Sequence, residues 1–204
     1  MKIFHFMQGI TFIPLRMIYP TKFIGKKNIP KGPCIIASNH RSNMDAILLA
    51  VHTFEKKYYL AKKELFSTKF KNFLFTSIGG IKVDREANDV GAIREALKVL
   101  KNKKKLVVFP EGKRVNNEND EMGDFKNGVS MFAIKAKVPI VPMYITKKPK
   151  AFRRNRVYIG TPFTLEEYYG KKLTNEELNE AGQKVNDKLQ ELREYSINAL
   201  TKKK

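Results

Sequence analysis

The chain has 204 residues, 42% of them hydrophobic and 29% charged, and a net charge of +20. That apolar share excludes a disordered chain, and the length suits one substantial core with at most a small appendage. A charge so far from zero points either to solubility alone or to a polyanionic partner, whether nucleic acid, an anionic membrane surface or a phosphorylated substrate, and no familiar nucleic-acid-binding signature accompanies it.

Residues 1–20, MKIFHFMQGITFIPLRMIYP, are apolar and aromatic but interrupted by Lys2, His5, Pro14 and Arg16. A spanning helix needs about 20 mostly apolar residues, and no small-residue cleavage site follows. The segment therefore reads either as an interfacial helix pair, with Phe, Ile and Met in lipid and lysines at phosphates, or as an amphipathic helix packed on the core. We divide the chain into this N-terminal membrane-interfacial helical segment, 1–20, and a domain over 21–204.

Lys22 to Ile29 reads as a short strand with a turn at Gly25 to Lys27. Cys34 to Ala37 is continuously apolar and reads as a buried strand. Its Cys34, the sole cysteine, excludes an internal disulfide and fits both a reducing compartment and a small core hydrophobe. Ser42-x-x-Asp45 resembles a capping box opening a helix. Tyr58 to Ala61 reads as strand, Lys62 to Ser77 as helix, and Ile81 to Asp84 as strand after the Gly79-Gly80 break. Asn88 to Leu100 is an amphipathic helix with Val90, Ile93, Ala96, Leu97 and Leu100 on one face. Leu106 to Phe109 is a buried strand, Val115 to Asp124 a polar loop, and Phe125 to Lys137 a helix. Val138 to Ile145 carries Pro139 and Pro142, so it is expected to start irregularly or lie near an edge. Arg156 to Ile159 is a strand, and Thr174-x-x-Glu177 caps a long C-terminal helix ahead of a solvated tail. Strands alternating with helices define an α/β fold with a mostly parallel central sheet and helices on both faces. Ligands of such sheets sit at the carboxyl ends of the strands.

Three stretches follow directly on strands. Ser38 to Ala46 holds His40 and Asp45. Residues five apart do not share a helix face, so contact between them requires His40 on the turn before the helix. A carboxylate on one imidazole nitrogen would make His40 a general base, although Asp45 reads equally as a dipole-complementing helix cap. Gly79 to Arg85 puts an arginine after a strand, and Phe109 to Arg114 puts Glu111, Gly112, Lys113 and Arg114 after another. Arginine suits bidentate phosphate contact, and glycine lets a backbone N–H approach an anion. Only His5, His40 and His52 accompany the lone cysteine, so no metal-ligand spacing is present and no metal is expected.

Over about residues 23–145 this pattern resembles the glycerolipid acyltransferase family, most closely its bacterial 1-acylglycerol-3-phosphate acyltransferases. The N-H-x-S-x-x-D block matches Asn39, His40, Ser42 and Asp45, and the glycine-to-arginine block matches Gly79, Gly80 and Arg85. The F-P-E-G-T-R-S block matches Phe109 to Gly112 and Arg114, and V-P-I-V-P matches Val138 to Pro142. Ala61 to Leu65 and Phe125 to Gly128 also look like the family. Lys113 and Val115 depart from the usual Thr and Ser, and Lys82 stands where an aromatic is common.

The resemblance implies an enzyme of phospholipid biosynthesis, a 1-acylglycerol-3-phosphate O-acyltransferase. It would move an acyl group from acyl-CoA or acyl carrier protein to the sn-2 hydroxyl of lysophosphatidic acid, with no cofactor. His40 would be the base and Asp45 its orienter. Arg85, Glu111, Gly112, Lys113 and Arg114 would hold the glycerol phosphate. Without a G-x-S-x-G elbow, transfer is expected to be direct, with no acyl-enzyme. The location implied is the cytoplasmic face of the cell membrane, as a peripheral or monotopic protein on an anionic surface with no nucleic-acid partner. Other readings are a different acceptor, such as glycerol 3-phosphate or another lysolipid, or a non-catalytic basic membrane-binding protein with this fold.

Overall fold

In the computed structural model, residues 12–52, 55–84, 89–112, 114, 122–123 and 125–202 are described. The expectations for residues 1–11, Arg85, Lys113 and most of the 115–124 loop fall outside them.

The elements in chain order are α1 (Ile13–Ile18), β1 (Thr21–Ile24), β2 (Ile35–Ser38), α2 (Asn43–Val51), β3 (Lys57–Lys62), α3 (Lys69–Ser77), β4 (Gly80–Val83), α4 (Val90–Lys101), β5 (Lys105–Val108), α5 (Gly128–Ala136), β6 (Ile140–Ile145), β7 (Asn155–Ile159) and α6 (Asn175–Thr201). The strands form one seven-stranded sheet in the order β1-β7-β6-β2-β5-β3-β4. All pairings are parallel except β6 with β7, so β1 and β7 run against the other five.

The continuous apolar runs occupy the sheet's centre because both faces are covered. Ile35 and Ala37 of β2 point to the face packed by Ala96 and Leu100 of α4, Phe132 of α5 and Val185 of α6. Cys34 and Ile36 point to the opposite face, against Leu48 and Leu49 of α2. α1 packs on α2 in turn, through Phe12 and Leu15 against Ile47 and Val51. The α/β reading with helices on both faces therefore holds.

Several local expectations change. The 62–77 segment is not one helix. A 3₁₀ turn, Lys63–Phe66, precedes α3, and the Thr68 hydroxyl starts α3 afresh by accepting the Lys71 N–H. None of α3's residues is buried, and Phe70 and Phe73 are exposed. Val90, assigned to the apolar face of α4, is the first helical residue and is also exposed.

β6 starts at Ile140, beyond Pro139, but it is an interior, fully buried strand and not near an edge. Pro142 is tolerated there for a geometric reason. Ile140 exchanges hydrogen bonds with Phe163, and the Pro142 carbonyl accepts from Gly160 N–H. The nitrogen of Pro142 faces that same side, where β7 has just ended, so its missing N–H breaks no regular rung.

Gly79, in the turn into β4, has φ of +97°. A Cβ there would lie 2.1 Å from the Lys57 carbonyl oxygen. Gly79→Ala is expected to destabilise by roughly 2–4 kcal/mol in urea denaturation, because both the conformation and the space exclude a side chain. Gly32→Ala, with nothing within 4 Å of its Cβ, is the matched control expected to change little.

Candidate active site

β2 lies between β5 and β6, and all three end at the same sheet edge. Main-chain pairing of β2 stops at Ala37↔Val108 on one side and Ser38↔Met143 on the other. Side chains continue both ladders. Asn39, 1% exposed, donates from Nδ2 to the Ile145 carbonyl (3.0 Å) and accepts the Ile145 N–H at Oδ1 (2.8 Å). His40 N–H donates to Glu111 Oε2 (3.1 Å). The turn carrying His40 is thereby held to both neighbouring strands.

Asp45 occupies the first turn of α2, and the Ser42/Asp45 capping box is present. Its Oδ2 accepts the backbone N–H groups of Arg41 and Ser42, both at 2.6 Å, and lies 3.0 Å from His40 Nδ1. Helix cap and histidine orienter, alternatives from spacing alone, are one arrangement here. The Asp45 side chain is fully buried and that of His40 is 12% exposed. The imidazole stacks on Phe109, with ring centroids 4.2 Å apart and planes at 21°. Nδ1 is engaged by a carboxylate, and Nε2 takes no hydrogen bond among the described residues. This assigns the Nδ1–H tautomer and leaves Nε2 as the acceptor.

Glu111 reaches the site from inside. It is 3% exposed. Burial pushes its carboxyl up to about 7, opposed by the N–H groups of His40 and Gly123 and by the Arg41 charge. The sequence has Glu111 in the stretch expected to hold a glycerol phosphate, and the structure adds that its Oε2 accepts the His40 backbone N–H. Gly112 turns with φ of +63°, a conformation that favours glycine. Arg114 is exposed beyond it.

Beside the Phe109 ring, a groove of about 360 Å³ runs between Leu60, Val83, Asp84, Gly112 and Phe132. It joins the ends of β3, β4 and β5, so Asp84, the neighbour of Arg85, lines the same groove as Phe109. The sequence reading did not single out Arg41 or Tyr144. Arg41 is buried and donates from Nη2 to the Tyr144 hydroxyl at 3.2 Å. The signal for Arg41 was its place inside the polar run; nothing in sequence marked Tyr144.

Among the described residues no three His, Cys, Asp or Glu side chains stand close enough to hold a metal ion. Burial pushes the Cys34 thiol up to about 12, so it is no thiolate nucleophile at neutral pH.

A buried carboxylate facing a histidine nitrogen at the carboxyl edge of a parallel sheet is an arrangement able to support acid–base chemistry. The comparisons name the family: residues 20–146 match the acyltransferase family model, and the chain belongs to that family. It is 31% identical over 180 residues to the 1-acyl-sn-glycerol-3-phosphate acyltransferase of Saccharomyces cerevisiae, covering 82% of this chain and 58% of the relative. It is 30% identical over 168 residues to the enzyme of the same name from Streptococcus pneumoniae, covering 78% and 60%. The chain thus spans about three fifths of the length of these curated relatives. The crystal structure of the 1-acyl-sn-glycerophosphate (LPA) acyltransferase from Thermotoga maritima superposes with a TM-score of 0.66 at 27% identity, covering 96% of this chain and 79% of that one.

The raised Glu111 pKa has a definite sign. The folded state keeps the proton that the unfolded chain releases near 4.5, so this contribution to stability is present below pH 4.5 and lost as pH rises to about 7. Relative to Glu111→Gln, the native protein should lose roughly 1–3 kcal/mol of unfolding free energy across that window and stay level above it. Urea denaturation of both proteins at several pH values measures this.

Proposed function

We propose that the chain transfers an acyl group from acyl-CoA or acyl carrier protein to the sn-2 hydroxyl of lysophosphatidic acid, giving phosphatidic acid. The observation that carries this is the His40–Asp45 pair at 3.0 Å, set on a family of acyl-transferring enzymes. His40 Nε2 takes the acceptor hydroxyl proton as its oxygen attacks the thioester carbonyl carbon. The carbon–oxygen bond forms, the tetrahedral intermediate collapses, and the carbon–sulfur bond breaks. The imidazolium, stabilised by Asp45, returns the proton to the departing thiolate. Protons balance with no acyl-enzyme.

Arg85, Lys113 and Arg114 supply the cations for the acceptor phosphate, with Gly112 opening the backbone toward it. Glu111 acts on this site by holding the His40 backbone. The extra cation at Lys113 suits a phosphate headgroup.

The substrate is a lipid, and residues 1–20 form the segment that meets it at the membrane interface on the cytoplasmic side. Phe12 and Leu15 anchor α1 on α2, while Ile13 (55%) and Met17 (75%) point outward. No described helix is long and apolar enough to cross a membrane; the outward-facing Ile13 and Met17 support an interfacial contact.

The direct test is acyl transfer from labelled acyl-CoA to a panel of acceptors: lysophosphatidic acid, glycerol 3-phosphate and other lysolipids. Lysophosphatidic acid should be the preferred acceptor, and His40→Ala should lower kcat at least 10²–10⁴-fold with the fold retained. Equal activity in the variant would remove His40 as the base. A preference for glycerol 3-phosphate would reassign the acceptor.

Ile13→Glu/Met17→Glu should reduce co-sedimentation with anionic vesicles while leaving turnover of detergent-dispersed substrate close to the native value. Unchanged sedimentation would remove α1 from the interface.

A further inference from the structure

The loop between β6 and β7 leaves the sheet beside the catalytic turn. β6 ends at Ile145, whose backbone is the one clamped by Asn39, next to His40. The loop is shaped rather than slack. Asn155, 4% exposed, accepts the Lys150 N–H at Oδ1 (3.1 Å) and donates from Nδ2 to the Lys150 and Pro20 carbonyls (3.3 and 3.4 Å). Arg153 donates from Nη2 to the Lys148 carbonyl (2.7 Å).

At its tip Phe152 is 84% exposed, more than any other large apolar side chain described. Its φ is +53°, a conformation an aromatic rarely adopts and glycine would adopt freely. The Phe152 N–H donates to the Ile18 carbonyl at 2.6 Å, tying the tip to the end of α1. An aromatic here wins no burial and sits in an unfavourable backbone conformation. Folding does not explain it, and such violations concentrate where a surface has work to do.

The surroundings say what it meets. Lys147, Lys148, Lys150, Arg153 and Arg154 flank the tip, and residues 146–155 contain no Asp or Glu. A bare aromatic within a run of cations matches the boundary between phosphate headgroups and acyl chains.

We propose that the β6–β7 loop is a second anchor on an anionic lipid bilayer, with Phe152 inserted at the headgroup boundary and its lysines and arginines on lipid phosphates. This rests on the membrane reading above. It adds a contact from a segment distant in sequence from α1, fixed to the strand beside His40. An acidic carrier protein would match the cations but would leave the exposed aromatic unexplained.

The chain contains no tryptophan, so Phe152→Trp gives a single local reporter. Its emission should shift to the blue on phosphatidylglycerol-containing vesicles and be quenched by brominated lipids. Tyr195→Trp, exposed on α6, should do neither. Phe152→Gly should keep or raise urea stability while weakening vesicle binding roughly ten-fold. Each of Lys147→Gln, Lys148→Gln and Lys150→Gln should weaken it about five-fold.

Unshifted Phe152→Trp emission on vesicles that still sediment the protein would overturn the loop anchor and leave the membrane reading standing. A shift on acidic acyl carrier protein but not on vesicles would make the loop a protein-docking surface and also overturn it. Failure of the unsubstituted chain to sediment would overturn the membrane reading and the anchor together.

Discussion

One carboxylate oxygen, Asp45 Oδ2, receives two backbone N–H groups and faces a histidine nitrogen. A helix start leaves N–H groups that must find acceptors, and a buried carboxylate must find donors. Each need meets the other here, at the positive end of the α2 dipole. Because the same oxygen also faces His40 Nδ1, the imidazole is oriented by the interaction that starts the helix. Moving the histidine would require undoing the cap.

The precision of that turn is inherited from the sheet. Side chains extend the β2 ladders on both sides beyond the last main-chain pair, Asn39 toward β6 and Glu111 toward β5. A loop would ordinarily be the soft part of such a fold. This one is flanked by buried strands and closed by buried polar groups, which suits a base that must hold its angle to a reacting hydroxyl. Glu111 and Asp45 divide two uses of a carboxylate: one braces backbone from an apolar niche, the other orients the imidazole.

Much of this was legible in the sequence. The buried strands announced themselves as unbroken apolar runs, the capping box by its spacing, and the His40/Asp45 contact by the need to put one residue before the helix and the other inside it. What was not legible depended on neighbours in space. Pro142 read as an edge signal because a missing N–H is costly in a ladder. It sits in a central strand only because β7 ends at that point, and no local pattern reveals where a distant strand ends. Phe70 and Phe73 follow a helical period, yet period alone does not say whether another element covers that face. Glu111 reads as part of an anion site from its cation-rich stretch; that its carboxyl also accepts the His40 N–H depends on the β2–β5 pairing, which no local pattern shows.

The arrangement separates chemistry from recognition along the sheet. The proposed base and its orienter occupy one strand–turn–helix unit of six residues, His40 to Asp45, which Asn39 and Glu111 tie to the neighbouring strands. The cations proposed for the acceptor phosphate follow β4 and β5. In the proposed site, changes to those cations would alter the hold on the acceptor without touching the Asp45–His40 contact. The departures from the family pattern lie in β4 itself, at Lys82, and after β5, at Lys113 and Val115, while Asn39, His40, Ser42 and Asp45 keep it. Under the proposed function the two tasks are carried by different strands and meet only at the sheet's edge.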